Sequence, residues 1–178
     1  MTFKLHTIES APAASKQTLE QSQQSFGWIP NLHAVLAEAP EALKIYKKLH
    51  EAFQNTSFNA AELTVVWQTI NIENQCHYCI PAHFMIANMM KVDDQVIQAL
   101  KENSPLPDEK LEVLRSVTRS LYLDRGHLSE QQLSKFRAVG YNNQQLLEIL
   151  VGIAQKVISN YTNHLADTPL DEPFKKFV

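Results

Sequence analysis

The run CHYCIPAH, residues 76–83, holds both cysteines of the chain, and His83 follows the second by four positions. Two thiols and an imidazole at this spacing could run a dithiol–disulfide cycle, contribute to a metal site or pack inertly. A structural zinc takes four ligands. Cys76, Cys79 and His83 supply three, with His77 a strained fourth, and no second cysteine pair exists. Haem attachment needs a histidine directly after the second cysteine, where Ile80 stands. Free cysteine is often buried and inert, yet a chain that places its only pair in one Cys-x-x-Cys favours a working couple.

Pro81 sets the local geometry. Proline is tolerated in the first helical turn, where N–H groups lack partners. A helix is therefore expected to begin between Cys76 and Cys79 and to run through Met90. At about 100° per residue, Cys76, Cys79 and His83 then fall within about 60° of one another. The positive end of a helix favours thiolate over thiol, and only the thiolate is a good nucleophile. His83 can take or return a proton. Such parts suit attack on a peroxide O–O bond. The sulfenic acid would be resolved by the second thiol, and an external dithiol would restore the pair.

The elements that must hold this segment read as helices. Glycine is scarce, at four residues, and alternating runs are few. SAPAASKQTLEQSQQSFG gives a first helix ending near Gly27. Asn31 is expected to cap a short second helix, and Pro40 to open a third at its first position. Asn59 with Glu62, Ser129 with Gln132, and Asn142 with Gln145 have capping-box spacing, and Asp93 offers another cap. LTVVWQTINI is rich in β-branched residues and could be a strand feeding a thioredoxin-type pair. With the preceding AAE its length favours a buried helix. In the last helix, Leu146, Leu150, Ile153, Val157 and Tyr161 form one apolar face, widened by Leu147, Val151, Ala154 and Ile158. That face is expected to be core, or in part a subunit interface. The expectation is one all-α domain over residues 1–178, a bundle of about eight or more helices.

Composition narrows the function. Hydrophobic residues are 44%, charged residues 20%, and the net charge is -3. Without a basic face, nucleic acid is not an expected partner. The N-terminal run lacks a signal-peptide core, and no apolar stretch is long enough to span a membrane. The expected place is the cytoplasm, where thiols stay reduced.

CHYCIPAH is similar to the Cys-x-x-Cys-x-x-x-His signature of the AhpD-like alkyl hydroperoxidases, within the carboxymuconolactone decarboxylase superfamily. FGWIPNLHAVLAEAPEAL resembles the entry segment of the peroxidase-related subgroup, and SNYTNHLADTPLD its C-terminal end. The resemblance implies an all-helical, homo-oligomeric peroxidase with no bound cofactor. Its substrate would be an organic hydroperoxide or hydrogen peroxide. Its reductant would be an external dithiol, lipoyl-linked in some relatives. It also implies that Cys79 attacks, Cys76 resolves and His83 joins the proton relay. The residues alone do not rank the two cysteines. Thr64 stands where the family carries a glutamate. Glu62 or Glu73 would then supply the carboxylate, although Glu62 also reads as a cap and Glu73 as a helix-end residue. Tyr78 could donate its hydroxyl to the site or pack structurally. Rival readings are a lactone decarboxylase-type enzyme, which belongs to members without the pair, and a non-enzymatic redox switch. His6, His33, His50 and His127 are expected on the surface, as are Lys47 and Lys48. His164 is expected near a helix C-terminus, and Trp67, Met85, Met89 and Met90 in the core.

Overall fold

The computed structural model describes residues 3–178. Among them the regular structure is helical, with no strand. The helices are α1 (Ala13–Phe26), α2 (Asn31–Leu36), α3 (Pro40–Gln54), α4 (Ala60–Glu73), α5 (Cys79–Met89), α6 (Asp94–Lys101), α7 (Glu109–Leu123), α8 (Glu130–Ala138) and α9 (Asn143–Ala166). A 3-10 helix, Glu172–Phe177, follows. The all-α expectation holds, and the strand alternative for LTVVWQTINI falls away because that run lies within α4.

Local sequence explains most boundaries. Gly27 closes α1 at φ 82°, a conformation that costs residues with a Cβ far more than it costs glycine. Pro40 opens α3. All three expected capping boxes form, at Asn59–Glu62, Ser129–Gln132 and Asn142–Gln145, and Asp93 caps α6. Asn31 does not cap α2. It is the first helical residue, its side chain donates to Pro169 O, and its backbone N–H is taken by the Asp171 carboxylate from the far end of the chain.

Helix α4 is the centre of the fold. It is apolar around much of its circumference, and Val65, Val66, Trp67 and Ile70 are fully buried. A helix of that kind belongs in a core, where burial outweighs the modest helix propensity of its valines and isoleucines. It packs against α5, α7 and α9, and α3 packs against α9. Glycine allows the tightest approach. A Cβ at Gly152 would lie 2.9 Å from Phe53 Cε2 and 3.0 Å from Val66 Cγ1.

Helix α9 is oriented differently from the sequence expectation. Its buried residues are Ile149, Gly152, Gln155, Lys156, Ser159, Asn160 and Asn163, a mostly polar stripe. The apolar face is split: Leu146, Val151, Ile153 and Ile158 are half-buried against the core, while Leu147 is 66% exposed, Leu150 44% and Tyr161 49%. Hydrophobicity alone would bury the other side. The polar stripe goes inward because its groups find hydrogen-bond partners around the cysteines, which removes the desolvation cost of burying them.

Candidate active site

The end of α4 delivers the first cysteine. Gln75 adopts the left-handed conformation, φ 50°. Its N–H bonds Ile72 O at 2.9 Å, and Cys76 N–H bonds Asn71 O at 3.0 Å. This pair is a Schellman closure, and it turns the chain directly into the cysteine segment. Cys76 then behaves as a cap for α5. Its carbonyl accepts from Ile80 N–H at 3.1 Å, and its sulfur accepts from Cys79 N–H at 3.3 Å. Cys76 thus precedes the helix, one residue type away from the usual serine or aspartate cap. Cys79 and Pro81 lie in the first turn, as expected.

Helix α9 surrounds the sulfurs with donors. The Asn163 amide reaches Cys79 Sγ at 3.2 Å and Cys76 Sγ at 3.9 Å. Burial on its own would raise the Cys79 thiol. The Cys76 S–H, the Lys156 charge, the Ser159 hydroxyl and Asn163 outweigh it and hold Cys79 down at about 5. Cys76 is pushed the other way, first by its hydrogen bond to Cys79 and then by burial. The pair therefore shares one proton, with the negative charge on Cys79 and the proton on Cys76. No disulfide joins them.

Lys156 is fully buried, and its Nζ lies 2.6 Å from His83 Nε2. An ammonium has only donors, so His83 Nε2 accepts and the ring hydrogen sits on Nδ1. That atom has no partner among the described residues. Burial, then Lys156 and His50, push His83 well below the ordinary imidazole value. Burial also lowers Lys156, against the opposing pull of the two sulfurs. Behind them Gln155 accepts from Trp67 Nε1 at 2.6 Å and donates to His50 Nδ1 at 2.9 Å. The Trp67 ring packs between His83 and His50, with centroids at 4.8 and 5.4 Å.

A cavity of about 990 Å³ opens onto this cluster. Cys79, His83 and Lys156 line it, while Cys76 does not. Its walls include Phe26, Trp28, Tyr46, Met85, Ile86 and Phe174, an apolar setting with a few convergent polar groups, as in small-molecule sites.

Of the residues singled out in the sequence, Cys76, Cys79 and His83 meet around Lys156 and Asn163. No hydrogen bond joins His83 to either sulfur among the described residues; His83 bonds Lys156, whose charge lowers Cys79. The two carboxylates are held elsewhere. Glu62 completes the α4 cap and also takes Tyr141 Oη at 2.9 Å and Lys110 Nζ at 3.1 Å. Glu73 pairs with Arg119 at 2.6 Å. Tyr78 lines the cavity, but its hydroxyl donates to Asp171 and accepts from Leu32 N–H at 3.2 Å. His77 is engaged with Thr168 O at 3.0 Å.

Several surface expectations are corrected. His6 and His33 are buried, and His33 and His50 line the cavity together with Lys47. His6 is drawn in by Glu38 at 2.5 Å, and His33 by Ser22 at 3.0 Å. Met89, expected in the core, is 72% exposed beside the cavity. His127 and His164 are exposed.

Lys156, Gln155, Ser159 and Asn163 were not anticipated as site residues. Their signal is a polar stripe at helical spacing, Gln155–Lys156–Ser159–Asn160–Asn163, beside the apolar residues of the same helix.

Solved structures that share the fold include the following three. An alkylhydroperoxidase AhpD core, an uncharacterized peroxidase-related protein from Ralstonia eutropha JMP134, superposes with TM-score 0.78 at 19% identity, covering 97% of this chain and 93% of its own. An uncharacterized peroxidase-related protein from Silicibacter sp. TM1040 gives TM-score 0.78 at 17% identity, covering 96% and 93%. The debrominase Bmp8, as its C82A variant with 2,3,4-tribromopyrrole, gives 0.77 at 16%, covering 99% and 95%. At these identities the likeness establishes the AhpD-like fold. No protein-family model and no curated protein sequence matches the chain.

Proposed function

We propose that the protein is a thiol-dependent peroxidase for organic hydroperoxides, with Cys79 as nucleophile and Cys76 as resolving thiol. The observation that carries this reading is the asymmetry of the pair. Cys79 lines the cavity and is held anionic, whereas Cys76 keeps its proton and is shut away behind it. Attack of the Cys79 thiolate on ROOH breaks the O–O bond, giving Cys79 sulfenic acid and RO⁻. The Lys156 ammonium gives RO⁻ its proton, and ROH leaves. The His83 Nδ1–H, without a partner among the described residues, is available to hold the departing oxygen. Cys76 then attacks the sulfenic sulfur. Its proton leaves with the hydroxide as water, and the disulfide forms. An external dithiol reduces the disulfide by exchange, returning one proton to Cys76 and one to Lys156. In this scheme Lys156 does the work that the sequence reading assigned to a carboxylate.

The test is steady-state consumption of cumene hydroperoxide with dithiothreitol. Wild-type protein turns over. Cys79→Ser is inactive. Cys76→Ser reacts once and leaves a sulfenic acid at Cys79 that dimedone traps. Turnover that survives Cys79→Ser rules the scheme out.

A second reading has its own support. The aromatic cavity walls, and a structural neighbour that is a debrominase holding a tribromopyrrole, fit reductive dehalogenation of an aromatic halide. There the two thiols would become the disulfide. Two electrons and the Cys76 proton would go to the ring carbon, and halide would be released. Bromide release from a bromopyrrole with dithiothreitol, set against the hydroperoxide rate, separates the readings.

A further inference from the structure

The cavity is polarised along its wall in a way the thiol chemistry does not require. Four lysines line it, Lys44, Lys47, Lys48 and Lys156, against one carboxylate, the exposed Glu51. Lys44 is neutralised by Glu41 at 2.8 Å. Lys156 belongs to the sulfurs. Lys47 is different: it is partly buried and makes no ion pair among the described residues.

Lys47 is nevertheless held in place. Its Nζ donates to Ser22 Oγ at 2.9 Å and to Thr18 O at 3.4 Å. Ser22 is fully buried and gives its own hydrogen to Thr18 O at 2.9 Å. It can therefore only accept from Lys47 and from the His33 ring at 3.0 Å. An ammonium has three donors, and two are spent on α1. The third is uncommitted, on a partly desolvated cation with no counter-ion. A charge in that position is costly until an anion joins it. Phe26, Trp28, Met85, Ile86 and Phe174 give the same cavity an apolar stretch of wall.

We propose that this cavity binds an amphipathic monoanion, an apolar body ending in a carboxylate, with the carboxylate on Lys47 and the body against the aromatic and methionine wall. The proposal deepens the functional reading, making the preferred hydroperoxide a carboxylate-bearing one, and Lys47 a specificity residue that hydrogen-bonds neither sulfur.

Binding alone tests it, so its failure is distinct from failure of the peroxidase reading, which cumene hydroperoxide turnover decides. The reduced full-length protein is titrated calorimetrically with octanoate and with 1-octanol, which share an apolar chain. Octanoate is expected to bind about tenfold more tightly or better, the effect of one charge-assisted hydrogen bond. Lys47→Met should erase that advantage, Lys47→Arg should retain it, and Lys135→Met, at an exposed lysine outside the cavity, should leave it unchanged. Equal affinities in the wild type, no binding of either ligand, or an octanoate advantage that persists in Lys47→Met overturns the proposal.

Discussion

Replacing Lys156 with methionine keeps the aliphatic stem and deletes one buried charge. Lys156 is fully buried, so water and salt do little to screen it from Cys79. An opposite charge at close range lowers an acid by roughly one to three pKa units, or about 1.4 to 4 kcal/mol. Cys79 is held at about 5. Without the ammonium its midpoint should rise into the range of about 6 to 8. At pH 6 the thiolate would then fall from about nine-tenths of the protein to half or less. The assay is the pH dependence of iodoacetamide alkylation, with the modified residue mapped by mass spectrometry. Lys156→Arg serves as a control that keeps the charge. An alkylation midpoint that stays near the wild-type value in Lys156→Met would refute the electrostatic account, because Asn163, Ser159 and Cys76 would then suffice alone.

Gly152→Ala puts a methyl group within 3.0 Å of Phe53 and Val66, both fully buried. Overpacking of about 1–3 kcal/mol, partly offset by the better helix propensity of alanine, about 1 kcal/mol, predicts a lower urea midpoint. Slower alkylation of Cys79 should accompany it, because Lys156 and Asn163 ride on the displaced helix; a gain in stability would contradict the packing described. Acid should destabilise the protein. Unfolded imidazoles take a proton below about 6.5, whereas folded His33 resists to about 3, His50 to about 4 and His83 to well below its ordinary value. In that window the unfolded chain binds up to three more protons, so stability falls as pH falls, approaching about 4 kcal/mol per pH unit. Cys79 adds in the same direction. The stabilisation of its anion is complete above the unfolded thiol value, about 8.5, and is lost as pH falls toward about 5. Urea midpoints at pH 7, 6 and 5 check the sign, and a flat or rising series defeats it.

The helices were legible wherever the signal is local. Capping boxes, Pro40, Gly27 and Pro81 each act within a turn or two, and each sits where its chemistry demands. The inner face of α9 was not legible. Its leucines, isoleucines and valines gather on one side and its polar residues on another, and hydrophobic pattern says which residues group together without saying which group meets the core. What decides is the match between Lys156, Gln155 and Asn163 and partners contributed by α3, α4 and α5, more than seventy residues away in the chain for His83, Trp67 and Cys79. The same reason hides the histidines. His33 looks isolated in sequence, yet Ser22 and the Tyr46 ring, whose centroid lies 5.6 Å away, enclose it. Glu62 and Glu73 drew attention because carboxylates near cysteines suggest a relay, but each had a closer cation or cap to satisfy.

Cys76 has no solvent-accessible surface, so on the proposed chemistry a single doorway serves both half-reactions. The oxidant and the electron donor must each arrive at Cys79, and the alcohol product must clear the passage before the donor can enter. Kinetics of the ping-pong type follow from that sequence of visits. So does a constraint on shape: the donor has to present its thiols on a slender arm, because a folded partner with recessed sulfurs could not reach the floor of the chamber.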